Sequence, residues 1–140
     1  MYKILLLLAM IFLHIVDDYY LQGWLASAKQ KSYWEQNVPD KMYKHDYIMA
    51  LFMHSFSWTF MIMLIPTIHS LIVASNISIV TWAILAFFIL NLCLHMITDD
   101  KKANRKESGM VVVEAMIILP IAILSVILLL YLSLFLFQRA

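Results

Sequence analysis

The sequence predicts an all-α membrane protein, a polytopic bundle of about four transmembrane helices, on three observations. The 140-residue chain is 64% hydrophobic, with two glycines and three prolines, which is more apolar surface than a soluble domain of this size can bury. Four segments, residues 3–25, 46–68, 78–98 and 110–137, approach or exceed the roughly 20 residues of helix that cross a bilayer. The charges that break this pattern cluster between the segments, although the formal net charge is only +1. No basic patch of a nucleic-acid-binding kind is visible. The partners the composition implies are membrane lipids, with a homo-oligomer as an option for a bundle with so little interior.

The first segment is apolar only to Val16, so it spans only if its helix continues through His14, Asp18 and Gln22 with those groups turned away from lipid. The stretch ASA at residues 26–28 resembles a signal-peptidase site, but the polar HIVDDYYLQGW before it is too long and too charged for a cleaved signal peptide. The connection that follows carries Lys29, Lys31, Lys41 and Lys44. Trp24, Tyr33, Trp34, Tyr43 and Tyr47 flank it as an interfacial aromatic belt would. The second connection, PTIHSLIVASNIS, has no lysine or arginine, whereas the third, DDKKANRKESG, carries Lys101, Lys102, Arg105 and Lys106. The positive-inside tendency therefore puts the first and third connections in the cytoplasm and both termini outside. Pro120 predicts a kink or tilt in the fourth span.

A short element recurs. Residues 14–18 read HIVDD and residues 95–99 read HMITD, so each places a histidine four residues before an aspartate near the end of an apolar helix. Positions i and i+4 share a helix face, and each element aims an imidazole and a carboxylate at one point. The same stripes add Gln22 to the first helix and Asn91 to the third. Both elements fall at the cytoplasmic ends of their spans. His54 lies about 12 Å by helical rise from Asp46, on the same side. Glu114 lies about one turn into the fourth span, and reads as a snorkelling carboxylate or a lysine partner.

Ionisable side chains at mid-helix cost about 2.5–3.5 kcal/mol each on insertion scales. Several converging at one depth need compensation, and a divalent cation supplies it, because imidazole and carboxylate are its nitrogen and oxygen donors. His14, Asp18, His54, His95 and Asp99 are the candidate ligands. The ion is zinc, manganese or iron; no cysteine stands near enough for a thiolate site, since the single Cys93 reads as a packing residue. Gln22, Asn91, Ser55 and Ser57 are expected to orient ligands. Asp17 and Asp100, about 100° around their helices, are expected to face headgroups or lysines, and His45 and His69 to lie solvated in loops. The methionines and the aromatic stripe of the second span read as packing or lipid-facing residues.

The order HIVDDYYLQ, then lysines, then ALFMHSFSW, then LHMITDDKK resembles a small bacterial and phage integral membrane protein family of unknown function. Its pattern is His-x-x-x-Asp-aromatic-x-x-Gln, a lysine, a helix histidine, and His-x-x-x-Asp-x-x-Lys. The resemblance covers roughly residues 10–102 and sets His14, Asp18, Gln22, Lys29 or Lys31, His54, His95, Asp99 and Lys102 at the signature positions, with an aspartate before Asp18 where that family often has a small residue. It implies a bacterial inner (cytoplasmic) membrane location and no particular activity. A looser similarity to membrane-bound metal-dependent hydrolases implies hydrolysis of an ester, phosphoester or amide in a lipid-like substrate. In that reading Asp18 or Asp99, whichever is not coordinated, is the catalytic base, while Gln22, Lys29, Lys31 and Lys102 bind substrate. Two other classes stay open: a cation or proton transporter or channel component, and a phage holin-like accessory protein.

Overall fold

The computed structural model describes residues 2–73 and 77–105. The expected fourth span, with Pro120 and Glu114, lies outside the described residues. Within them every regular element is helical: α1 (Tyr2–Val16), which runs on into a π-helical turn (Asp17–Leu21), α2 (Leu25–Ala28), α3 (Lys31–Asn37), a 3₁₀ turn (Lys41–Tyr43), α4 (Asp46–Val73) and α5 (Ile77–Asn104). Three stretches are long and apolar enough to cross a membrane: Ile4–Leu21, Lys41–Val73 and Thr81–Asn104.

The first span ends earlier than its expected limit at residue 25. Gln22 closes the π turn by donating its backbone N–H to the Asp17 carbonyl at 2.9 Å, and Gly23 then adopts a left-handed φ of 45°. Glycine has no Cβ to oppose that conformation, so the chain leaves the helix there at little cost. The second and third helices run further than expected. α4 continues through Pro66 to Val73, so His69 belongs to a helix rather than a loop. Pro66 has no N–H for the Ile62 carbonyl, but an apolar surrounding offers the backbone no better partner than the helix itself. α5 carries on through Lys101 and Lys102 to Asn104, so the basic segment begins as helix; lysines in a last turn complement the partial negative charge of the carbonyl end. His45 stays exposed between the 3₁₀ turn and α4.

α4 is the central element, packed against both α1 and α5. Its buried Trp58, Ile62 and Met63 form the apolar core with Ile84, Phe87 and Phe88 of α5. One end of this three-helix unit is capped by the connection between α1 and α4. Asn104 ties it down: its side chain donates to the Lys29 carbonyl at 3.1 Å and accepts the Lys31 backbone N–H at 2.7 Å. Trp24, Tyr33 and Trp34 pack edge to face in the same connection, and the Trp34 indole donates to the Ala28 carbonyl at 2.6 Å. The ends of α1 and α5 and the start of α4 therefore meet beneath one folded strap.

Candidate metal centre

The His-x-x-x-Asp stripes of α1 and α5 both face α4, and His54 stands between them. Its Nε2 lies 3.2 Å from Nε2 of His95, 3.1 Å from Oδ2 of Asp99, 3.8 Å from Oδ1 of Asp18 and 3.1 Å from the Gln22 amide nitrogen. An imidazole nitrogen offers one lone pair or one proton, enough for one of these neighbours. Donor atoms of Asp18, His54 and His95 all lie within 4.8 Å of one another. Two donors about 2.1 Å from a tetrahedral ion are about 3.4 Å apart, which matches the separations around His54. These three residues can hold a metal ion. His54 and His95 are each 1% exposed and Asp99 2%, so these groups are held almost wholly out of bulk solvent.

His14 and Asp99, also expected as ligands, lie beside this group of three, and Asp99 stands as near to His54 as His95 does. The Trp58 indole donates to Nδ1 of His14 at 2.5 Å, which leaves the proton of the neutral ring on Nε2, 3.7 Å from Oδ2 of Asp18. His14 thus stands between Trp58 and Asp18, with Nδ1 engaged by the indole. Asp99 receives the Lys29 ammonium at 2.5 Å, an ion pair whose side chains are 12% and 2% exposed. Asp18, Gln22, Lys29, His54, Asp99 and Lys102 line a cavity of about 210 Å³, with Tyr19 at its mouth. Lys31 does not reach it. Its ammonium lies over the Tyr47 ring of α4, 4.9 Å from the centroid, while its backbone N–H donates to Asn104.

Asp17 departs from expectation most sharply. It is buried and accepts a hydrogen bond from the Ser57 hydroxyl, because the wider π turn keeps it as well as Asp18 on the side of α4. Asp100, by contrast, does lie outward, 4.0 Å from Arg105 and bonded to Asn104. Asn91 is buried one turn before His95, and its amide donates to the Phe87 carbonyl at 2.7 Å. Ser55 is fully buried, with no hydrogen-bond partner among the described residues.

Trp58 is the functional residue that a reading of the aromatic stripe as packing passes over. Its ring stacks on His95 with centroids 4.1 Å apart and planes 3° from parallel, while its N–H holds His14. One side chain thus fixes two imidazoles on different helices. The signal for it is spacing: Trp58 stands four residues after His54, on the same stripe. Trp58→Phe keeps a ring for the stack and removes the N–H, so we expect about tenfold weaker metal binding, read by competition with a chelating dye, with helix content unchanged.

The chain matches no protein-family model, no curated protein and no solved structure.

Proposed function

We propose that the chain is a multi-pass protein of the bacterial inner membrane and a metal-dependent hydrolase of a lipid-like substrate, with its site just below the cytoplasmic surface. The observation that carries this reading is the crowding of four polar groups on one nitrogen of His54 beside an open, polar cavity. Two imidazoles and one carboxylate make the three-protein-ligand arrangement that leaves a catalytic ion one exchangeable position. The basic residues at this end of the helices favour the cytoplasmic side.

A divalent ion held there supplies Lewis acidity, which lowers the pKa of a water and polarises the scissile bond. Asp99, kept in place by Lys29, accepts a proton from that water as its oxygen bonds to the substrate's phosphorus or carbonyl carbon. The bond to the leaving oxygen breaks, and Asp99 returns the proton to it. Asp18 stays a ligand, steadied by His14. Gln22 and Lys102 contact the bound group from the cavity wall.

A cation or proton path is the second reading, favoured by the buried hydroxyls of Ser55, Thr59 and Ser70 along α4, none with a hydrogen-bond partner among the described residues. Elemental analysis of the purified chain, followed by release assays on esters and phosphoesters of short-chain lipids, tests the proposal. We expect about one zinc, manganese or iron per chain and turnover that a chelator stops. Metal without turnover, together with cation flux in proteoliposomes, would favour the path instead.

A further inference from the structure

The metal-site reading has a consequence for what the cavity binds. None of the residues lining the 210 Å³ space is aliphatic, so an acyl chain gains nothing by entering it. Lys29 and Lys102 line this wall together with Asp18 and Asp99, and the Lys29 ammonium lies on Asp99. These four charges cancel. A divalent ion on Asp18, His54 and His95 then leaves the space electropositive, offset only in part by Asp17, which is turned towards Ser57. Lys29 is itself nearly buried and fixed on Asp99 at 2.5 Å, so one of the two cations is built into the wall rather than waving at the surface. Tyr19, which lines the cavity, and its neighbours Tyr20 and Leu21 in the π turn after α1 are exposed by 81%, 80% and 56%, an amphipathic rim suited to the level of lipid headgroups.

We propose that this cavity is a phosphate-binding site, resting on the metal reading above, and that it takes the phosphate of a phosphomonoester or phosphodiester headgroup while the acyl chains stay outside along α1. A phosphate group carries several acceptor oxygens, enough to reach an ion and a lysine ammonium together, which a single carbonyl does not. Because the protein charges alone cancel, phosphate binding depends on the metal. Lys102 is the residue to change, since Lys29 also supports Asp99.

The test loads the full chain, in neutral detergent, with manganese, measures the bound metal, and follows the ³¹P relaxation of added inorganic phosphate and, in a second arm, of a short-chain phosphatidate. Phosphate is expected to relax fast only with the loaded protein, and Lys102→Met to weaken its binding about tenfold at unchanged manganese content. Tighter binding of the phosphatidate assigns the site to lipid headgroups; equal binding assigns it to free phosphate. Bound manganese with no phosphate relaxation, or an unchanged affinity in Lys102→Met, overturns this inference and leaves the metal site standing. A chain that binds no manganese, zinc or iron overturns both.

Discussion

His54→Ala is expected to abolish metal binding, with an affinity more than about 100-fold below that of the unaltered chain, while helix content stays the same. The size follows from the position of the side chain. His54 touches Gln22, His95, Asp99 and Asp18 through contacts of 3.1–3.8 Å. Removing it deletes a ligand and unties α1 from α5 at the level of the site. His14→Ala should be milder, about tenfold, the lower end of what outer contacts to a metal site contribute. Its Nδ1 is occupied by the Trp58 N–H and its Nε2 faces Asp18 rather than the shared point. Chelator competition on both variants checks the order. Equal losses would place His14 among the ligands.

Lys29→Met is expected to destabilise the metal-free protein by about 3–5 kcal/mol, because it leaves the Asp99 carboxylate buried without its cation. The strap that carries Lys29 would then rely on Asn104, whose bonds to the Lys29 carbonyl and the Lys31 N–H do not need the ammonium. Two consequences separate this from a general packing defect. Asp99→Asn in the Lys29→Met background should restore most of the stability, since no isolated charge remains. Zinc should stabilise Lys29→Met more than the unaltered chain, because an ion next to Asp99 replaces the missing charge. Thermal unfolding in detergent, with and without zinc, reads both.

The sequence revealed the site better than the boundaries. His14, Asp18 and Gln22 on one stripe and Asn91, His95 and Asp99 on another follow from helical spacing alone, and the structure does bring both stripes to His54. Helix ends were harder to read. Pro66 and the run DDKKAN look like interruptions on paper, yet α4 and α5 pass through both: around Pro66 apolar neighbours leave the backbone no better partner than the helix, and at DDKKAN the lysines complement the carbonyl end. The burial of Asp17 depends on a π turn, and no simple periodicity announces an i to i+5 closure. Lys29 and Lys31 are two residues apart and equivalent on paper. Only the tether at Asn104, more than 70 residues away in sequence, sends one to Asp99 and the other to Tyr47. Trp58 was hidden by its type, because a tryptophan in an apolar helix usually packs or faces lipid.

X-ray absorption at the zinc edge of the loaded chain most directly tests whether three helices share one ion. The spectrum should show nitrogen and oxygen donors at about 2.0–2.2 Å with the outer-shell scattering of two imidazoles, reduced to one in His95→Ala. A first shell containing sulfur, for which Cys93 on the exposed side of α5 is the one cysteine in the chain, or a shell of oxygen alone with no imidazole signature, would contradict the account.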